Sequence, residues 1–344
     1  MSLRPVANPP NPWHSQHVEW LGEPPEQTLE VYEEEARSIV SENESPDLGF
    51  RYSLNPYRGC FHACAYCYAR PTHQHLGFGA GTDFDRRIVV KVNAAELLRR
   101  HFARASWQGD TLVFSGVTDC YQPLESHYGV TRACLEVALR HRNPVGVITK
   151  SALVQRDAAL LGELARVAHA TVYVSIPFAD DALARAVEPN APSPTLRFAA
   201  LRALAAAGVE TGVAIAPLIP GLNDSHVPEI LARAHAAGAR RAFHNLLRLP
   251  AEVAPVFLER IRQALPLRAA RIESALREVR GGRLNESAFH ERMRGHGPRW
   301  HAIRTLFELH ARRFGFAGPS GPSASTFRRP GAQGMLFAPR DGAD

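Results

Sequence analysis

Three cysteines stand close together in the run C-F-H-A-C-A-Y-C, and this C-x3-C-x2-C spacing constrains the chain more than any other feature. Cys60, Cys64 and Cys67 fall within eight residues, so one loop brings three thiolates towards a single centre. A structural zinc site needs four protein ligands, whereas a catalytic metal site leaves one position open. An iron–sulfur cube held by three cysteines likewise has one iron without a protein ligand. The spacing therefore predicts a metal centre that is open to a further ligand.

Two other uses of these cysteines have to be weighed. A zinc knuckle could recruit His62, His73 or His75 as its fourth ligand, although zinc spacings usually come as paired C-x2-C elements. A disulfide framework is disfavoured, because five cysteines in 344 residues is a low and odd number and no secretory signal opens the chain. No run of about 18 apolar residues occurs, so no membrane span is expected. We expect a cytoplasmic protein, whose thiols stay reduced.

The charge of the chain is unevenly distributed. Residues 1–50 hold ten acidic residues against two arginines, a net −8, so the remainder carries +14 to give the overall +6. Residues 246–316 alone hold fourteen arginines and seven glutamates. A basic face of this kind is typical of a protein with a polyanionic partner, and Arg260, Arg262 and Arg268 are candidate phosphate contacts. Only two of the forty basic residues are lysines, so a genome-wide preference for arginine codons is an alternative explanation.

Apolar runs of strand length alternate with amphipathic stretches of helix length through the middle of the chain. This alternation is typical of a parallel sheet with crossover helices. Because chemistry in such barrels takes place at the carboxyl ends of the strands, the cysteine loop after the first strand falls on the expected active face. The pattern predicts an α/β fold, a partial TIM-like (β/α)6 barrel, with strands at residues 51–54, 111–115, 145–149, 171–176, 210–216 and 241–245.

Five further segments, taken together and in this order, match a known superfamily. With the cysteine motif, they make the chain resemble the radical S-adenosylmethionine (SAM) enzymes over roughly residues 50–245, and in particular the branch related to spore photoproduct lyase, with its uncharacterised bacterial relatives. The segments are N-P-Y-R-G-C at 55–60, G-T-D-F-D-R-R-I-V-V-K at 81–91, S-G-V-T-D-C-Y-Q-P-L-E at 115–125, I-T-K-S at 148–151 and A-P-L-I-P-G-L-N-D at 216–224.

The resemblance implies two cofactors, a [4Fe–4S] cluster and SAM. Cys60, Cys64 and Cys67 are the implied cluster ligands. In the superfamily the open iron binds the amino and carboxylate groups of SAM. The resemblance also implies that the backbone around Tyr66 contacts the adenine, with the aromatic ring covering one side.

Residues at other strand ends complete the implied SAM site. Ser115 and Gly116 stand where the superfamily has a glycine-rich strand end that meets the methionine amino group. The usual acidic member of that motif is absent, and its role is left to Thr118 or Asp119. Ser175 stands where a polar group meets the ribose. The remaining implied contacts are Ile219 and Gly221, which pack on the adenine, and either Arg197 or Lys150, which pairs with the SAM carboxylate.

The two remaining cysteines receive different interpretations. Cys134 lies in an amphipathic helical stretch and is expected to be a small buried hydrophobe. Cys120 follows Asp119 in the loop after the second strand, where spore photoproduct lyase has a cysteine that returns a hydrogen atom to its product radical. Our alignment places Gly116 at that position, so Cys120 is offset by four residues. A hydrogen donor and a spectator thiol both stay open for Cys120.

Four regions are predicted along the chain. An acidic, Pro-rich extension at 1–50, with a solvated acidic segment, precedes the radical SAM core at 51–245. An Arg-rich helical region at 246–316 caps the open barrel edge, and a disordered tail occupies 317–344. The tail contains Q-G-M-L-F, Gln333–Phe337, which resembles the Q-x-x-L-F peptide by which bacterial replication and repair enzymes dock on the sliding clamp.

These features predict a radical SAM enzyme that cleaves SAM reductively with a [4Fe–4S] cluster. Flavodoxin or ferredoxin is the expected electron donor. The basic balance and the resemblance favour nucleic acid as the substrate, for example in DNA repair by a lyase acting on a pyrimidine lesion. Two alternatives stay open: a zinc-knuckle nucleic-acid-binding protein without radical chemistry, which six strand–helix units argue against, and a radical SAM enzyme acting on a protein or a metabolite.

Overall fold

The computed structural model describes residues 28–319 and 325–329. These residues form ten strands, eleven α-helices and three short 3-10 helices. The strands are β1 (Glu30–Glu34), β2 (Val40–Glu42), β3 (Tyr52–Leu54), β4 (Tyr57–Arg58), β5 (Arg87–Lys91), β6 (Leu112–Phe114), β7 (Val145–Thr149), β8 (Ala170–Ser175), β9 (Glu210–Leu218) and β10 (Arg241–Leu246). The α-helices are α1 (Thr82–Arg86), α2 (Ala94–Ala103), α3 (Glu125–Tyr128), α4 (Val130–Arg140), α5 (Ala158–Val167), α6 (Asp181–Val187), α7 (Pro194–Ala206), α8 (Val227–Ala236), α9 (Val253–Ala264), α10 (Pro266–Val279) and α11 (Gly297–Arg313).

Seven strands form the main sheet, in the order β10-β9-β8-β7-β6-β3-β2. Six of them, β3 and β6 to β10, run parallel, and each pairs with the next of the six along the chain. Strand β2 adds to one edge antiparallel to β3, and β10 forms the other edge, so the sheet stays open. The predicted α/β fold with a partial (β/α)6 barrel is confirmed, and each of the six predicted strands overlaps one of these parallel strands.

The helices that connect the parallel strands bury an apolar side against the sheet, as α7 shows. Ser193 caps its first turn by accepting a hydrogen bond from the backbone N–H of Leu196, and Pro194 occupies the first helical position. Gly208, with a φ of +79°, follows its last turn. Leu201 lies on its buried side, in the large core that the sheet shares with its helices. In the part of the chain described above, no helix is both long and apolar enough to cross a membrane.

The acidic segment of the N-terminal extension is a strand. A second sheet has the order β1-β5-β4, and β1 runs parallel to β5 with Glu30 opposite Arg87 and Glu34 opposite Lys91. Opposite charges directly across a strand pair favour this register. The side chains of β1 are largely exposed, as expected of a solvated segment, while its backbone pairs with a strand that follows the cysteine loop, which the sequence did not indicate.

The C-terminal region is helical, as predicted, and caps the sheet. Helix α11 packs beside β10, where the rings of Trp300 and Phe307 lie 5.6 and 4.4 Å from the ring of His244. Helices α9 and α10 contribute to a second core that also contains Cys64 and Tyr66 from the cysteine loop. The cap therefore covers the open edge of the sheet and also supports the predicted active face.

Part of the predicted tail is ordered against the core. The ring of Phe327 lies 5.5 Å from that of Phe102, and its neighbours bond to backbone carbonyls at the amino ends of β6 and β7. The disorder predicted for 317–344 therefore does not hold for residues 325–329. The predicted clamp peptide, Gln333–Phe337, lies outside the described residues.

Candidate active site

The loop that carries the three cysteines connects β4 to a 3-10 helix at Arg70–Leu76. It begins at Gly59, which has a φ of +74° and whose Cβ, if it had one, would lie 3.0 Å from the carbonyl oxygens of Phe84 and Arg87. The left-handed backbone and the close approach both require glycine here. The N–H of the following Cys60 donates to the Phe84 carbonyl at 2.9 Å, which fixes the chain direction at the first cysteine.

Successive turns place the three thiols. The N–H of Ala63 donates to the Cys60 carbonyl at 3.2 Å, and that of Cys67 donates to the Cys64 carbonyl at 3.3 Å. Cys60 and Cys64 are buried, Cys67 is partly exposed, and all three line one cavity. Burial raises the pKa of each thiol, so these groups are costly as free thiolates.

The donor set fits an iron–sulfur cluster. Iron supplies the positive charge that buried thiolates need. The backbone near His62 and Ala69 lowers the pKa of the Cys60 and Cys67 thiols and so partly offsets the effect of burial. Within the described residues no three His, Cys, Asp or Glu side chains are placed to hold a single metal ion, and this holds for Cys60, Cys64 and Cys67 as well.

Two arginines, the buried Arg70 and the partly buried Arg260, brace the backbone of the loop. Arg70 donates from Nη2 to the Cys64 carbonyl at 2.8 Å, and Arg260 of α9 donates to the Ala63 carbonyl at 2.7 Å. Both guanidinium groups pair with the buried carboxylate of Asp85. This carboxylate offsets two positive charges whose burial is otherwise costly. Arg260 is therefore an internal group, and its interpretation as a phosphate contact is wrong.

A cavity of about 2090 Å³ is lined by the C-terminal cap and by both ends of the parallel strands, from Asp110 and His169 at the amino ends to Lys150 and Ser175 at the carboxyl ends. It runs along the inner face of the sheet, and its wall includes the three cysteines. Six of the other predicted site residues also line it: Tyr66, Ser115, Gly116, Thr118, Lys150 and Ser175.

Asp119, which follows β6, contacts the polar residues of the neighbouring cavity wall. Its carboxylate accepts from the Thr149 hydroxyl and from the backbone N–H of Lys150, each at 2.7 Å, and lies 3.5 Å from Nδ1 of His62. Burial alone would raise the pKa of Asp119, but His62 and these hydrogen bonds hold it at about 2, so the group stays ionised. From the sequence His62 is predicted only as a zinc ligand, and its position between the first two cysteines is the signal that places it at this site.

The two candidates for the SAM carboxylate are placed differently. Lys150 lines the cavity, with Nζ 3.1 Å from the Ser175 hydroxyl and 5.5 Å from the ring centre of Tyr66. Arg197 is wholly buried, donates to the Ser175 carbonyl at 3.0 Å and pairs with Glu188. Glu188 also accepts from the Tyr66 hydroxyl, so Arg197 fixes the carboxylate that holds Tyr66. Of the two cations, Lys150 is the one that a molecule in the cavity can reach.

Ser115, Gly116 and Thr118 form the bent end of β6. Ser115 has a φ of +72°, which is uncommon for a residue other than glycine, and its hydroxyl accepts from the N–H of Cys120 at 2.7 Å. A Cβ on Gly116 would lie 2.9 Å from that of Ser53, so the close approach of β3 accounts for the glycine. The hydroxyl of Thr118 donates to a carbonyl of β4 at 2.7 Å. These contacts hold the strand end against β3 and β4, beside the cysteine loop.

Besides Arg197, three predicted site residues do not line the cavity. Ile219 is wholly buried in the second core, and Gly221 lies against α10, where a Cβ would be 3.2 Å from that of Ala275. Cys120 is wholly buried in the main core, which raises its pKa. A hydrogen donor needs its thiol on the cavity surface, and the structure places Cys120 elsewhere. Cys134 is wholly buried, as expected.

The sequence model of the Radical SAM superfamily matches residues 54–234. The chain therefore belongs to the radical SAM superfamily, whose cofactors are a [4Fe–4S] cluster and SAM, as predicted. An uncharacterised protein of Mycobacterium tuberculosis is 42% identical over 194 residues, 56% of this chain and 57% of the relative. An uncharacterised protein of Methanocaldococcus jannaschii is 30% identical over 196 residues, 57% and 70% of the two chains. The chain thus spans less than two thirds of the mycobacterial relative that it matches.

Solved structures of spore photoproduct lyase share the fold. One, complexed with dinucleoside spore photoproduct, gives a TM-score of 0.60 at 16% identity, over 84% of this chain and 81% of that one. A variant of the same enzyme with bound AdoMet and the dinucleoside also gives 0.60 at 16% identity, over 88% of each chain. The TM-scores of 0.60 establish a common fold, which is the predicted one. At 16% identity the comparison establishes the fold alone.

Asp85→Asn should weaken the brace of the cysteine loop, because it leaves two buried guanidinium groups without their anion. We expect the free energy of unfolding to fall by about 3–5 kcal/mol, and the iron content after anaerobic reconstitution to fall with it. Urea unfolding and iron analysis measure these two effects. Glu96→Gln, which breaks exposed pairs with Arg99 and Arg100, is the control and should change neither. An unchanged free energy of unfolding in Asp85→Asn would contradict the proposed role of Asp85 in holding the cysteine loop.

Proposed function

We propose that the cavity is the active site of a radical SAM enzyme that acts on nucleic acid. The observation that carries the proposal is that three cysteine thiols, two of them buried, and a reachable lysine line one cavity that extends to the carboxyl ends of parallel strands. When bound, the cluster and SAM supply reductive cleavage of SAM to methionine and a 5′-deoxyadenosyl radical, which takes a hydrogen atom from the substrate. The cysteines hold the cluster, and the surrounding wall positions the reactants and excludes water.

Lys150 is the proposed partner of the SAM carboxylate. Its ammonium group faces the cavity between the Tyr66 ring and the Ser175 hydroxyl. Its backbone N–H is held by Asp119, so the residue that carries the charge is fixed at the end of β7. A charge-assisted hydrogen bond of this kind is about twice as strong as a neutral one. Tyr66 and Ser175 remain the proposed contacts of the adenine and the ribose.

The proposed substrate is a modified nucleic acid, with a pyrimidine lesion as the specific case and a lyase reaction in DNA repair. The solved spore photoproduct lyase with a bound dinucleoside photoproduct supports it by analogy of fold. The excess of positive charge after residue 50 supports a polyanionic substrate. The cavity also exceeds the roughly 300–1,000 Å³ of a usual small-ligand pocket, which leaves room for a substrate beside SAM.

The electron for SAM cleavage comes, in this proposal, from a flavodoxin or a ferredoxin. Cys67 is the most exposed of the three cluster cysteines and lies next to Tyr68, whose side chain is 49% exposed. The shortest route from the surface to the cluster therefore passes this end of the loop. A cytoplasmic location, where such carriers and reduced thiols occur, belongs to the same proposal.

Replacing any one of Cys60, Cys64 or Cys67 with alanine should remove the cluster and abolish SAM cleavage, because only three thiolates are present to hold it. The measurements are iron and sulfide content after anaerobic reconstitution, and 5′-deoxyadenosine release with dithionite. Cys134→Ala, which changes a thiol in the main core, should retain both. Stoichiometric zinc and no iron in the anaerobically purified protein would refute the cluster.

Lys150→Gln should raise the dissociation constant of SAM about tenfold or more, because it removes one charge-assisted hydrogen bond. The free energy of unfolding should change by less than about 0.5 kcal/mol. Arg197→Gln is the matched comparison and should instead cost about 3–5 kcal/mol of stability, because it strands the buried carboxylate of Glu188. Equilibrium dialysis and urea unfolding separate the two cases. Normal SAM affinity of Lys150→Gln would exclude the assignment.

Docking on the bacterial sliding clamp through Gln333–Phe337 stays a prediction about residues outside the described structure. Leu336 and Phe337 would fill an apolar pocket, and Gln333 would supply a hydrogen bond. A peptide spanning Arg328 to Arg340 should bind purified clamp in a titration, and replacement of both apolar residues with alanine should abolish binding. A peptide that does not bind, or that binds equally well after the replacement, would rule the motif out.

A further inference from the structure

Arg248 follows the carboxyl end of β10, and its backbone is held from both sides. The carbonyl of Leu247 accepts a hydrogen bond from the buried guanidinium of Arg280 at 2.9 Å. The N–H of Leu249 donates to the side chain of Asn285 at 3.0 Å. Leu247 and Leu249 are both buried, and Arg248 between them lines the cavity. The scaffold therefore fixes an arginine in the cavity wall at the end of the sixth parallel strand.

No carboxylate of the described residues forms an ion pair with the guanidinium of Arg248, and Asp47 attracts it only at longer range. Its Nε is buried and makes no hydrogen bond within them. The neighbouring Arg292, by contrast, pairs with Asp47 at 2.5 Å, so that carboxylate is already engaged. Burial and the like charge of Arg292 lower the pKa of Arg248. A partly buried cation without a partner is costly, and such groups in native proteins call for an explanation.

The position of this cation relates it to the cluster. The guanidinium carbon of Arg248 lies 6.0 Å from the ring centre of Tyr68, the residue directly after Cys67. Lys150 lies against Tyr66, the residue directly before Cys67. Two cations of the cavity wall therefore lie against the rings of the two tyrosines that flank Cys67. One of them, Lys150, is assigned to the carboxylate of SAM, which leaves the second without a ligand.

We propose that Arg248 binds a phosphate group of the substrate and so holds the substrate over the cluster loop. A guanidinium presents a planar fork that matches two phosphate oxygens, which a lysine does not. The fourteen arginines and seven glutamates of residues 246–316 favour a nucleic-acid phosphodiester over an isolated phosphate monoester as the source of that group. The inference rests on the proposed function in taking the cavity to be the substrate site.

Binding of a labelled single-stranded oligodeoxynucleotide to the reconstituted full chain tests the proposal, with fluorescence anisotropy as the readout. Arg248→Gln should raise the dissociation constant about tenfold and reduce the log–log salt slope by about 0.7, the value for one phosphate contact on a single strand. Arg248→Lys retains the charge but loses the fork, so it should keep the wild-type slope with an intermediate affinity. Arg99→Gln, at an exposed arginine paired with Glu96, is the matched control and should bind as wild type.

Two further readouts separate a ligand role from other roles. Because Arg248 has no partner within the described residues, Arg248→Gln should keep or raise the melting temperature. Its dissociation constant for SAM should stay within about twofold of wild type, a free-energy difference of about 0.4 kcal/mol. Wild-type oligonucleotide affinity and salt slope in Arg248→Gln would overturn the proposal. Loss of SAM affinity with normal oligonucleotide affinity would also overturn it, since Arg248 would then serve the SAM carboxylate.

A failure of the proposed function would give results different from those of a failure of the Arg248 phosphate site. If a nucleoside monophosphate binds in an Arg248-dependent manner and the oligonucleotide does not, the phosphate site stands and the nucleic-acid substrate falls. If the wild-type protein binds the oligonucleotide through Arg248 but releases no 5′-deoxyadenosine with dithionite, the phosphate site again stands and the radical chemistry falls.

Discussion

The carboxylate of Asp85 is the interaction on which the cysteine loop depends. It is buried, and it pairs with two guanidinium groups that together hold the carbonyls of Ala63 and Cys64. A loop with three thiols has few side chains of its own to pack, so its shape has to come from contacts with the rest of the molecule. One of the two arginines comes from the helix that follows the loop, and the other comes from the C-terminal cap.

The open sheet places the remaining groups of the site. Parallel strands deliver their carboxyl ends to one edge, and the polar residues that follow β6, β7 and β8 meet there with the cysteine loop. Asp119 connects these elements, because it accepts from Thr149 and the backbone of Lys150 and lies beside His62 of the loop. The C-terminal cap adds two arginines to the site, Arg248 and Arg260, and the two differ in whether a carboxylate pairs with them. Arg260 has its anion within the fold, whereas Arg248 finds none among the described residues.

Local signals were enough to predict most of the fold and the centre of the site. The run V-G-V-I-T predicts a strand at 145–149, and Ser193 and Gly208 predict the two ends of α7. Both predictions succeed because a buried strand and a capped helix are specified by residues adjacent in the sequence. The cysteine spacing and the ordered motifs predicted the family in the same way. The positions of Lys150 and Ser175 followed from their place after strands.

Features that depend on distant partners could not be predicted. Arg260 looked like one more surface arginine, because its partner Asp85 is 175 positions away. Nothing in the acidic run at Glu30–Glu34 indicated that this segment would pair with β5 in a sheet. Cys120 follows an active-face residue, but the backbone turn after Ser115 directs its thiol into the core. Each of these outcomes is decided by tertiary contacts rather than by the residues next in sequence.

The contact between Arg260 and the Ala63 carbonyl spans 197 positions, and this separation has a consequence for biosynthesis. A ribosome that adds 5–20 residues per second makes Arg260 about 10–40 s after Ala63. During that interval the nascent loop is held by Arg70 and Asp85 without the second arginine. Iron delivered to the growing chain would meet a partly braced loop, whereas iron delivered after release meets the finished one. The fully braced loop therefore forms only after Arg260 has been synthesised.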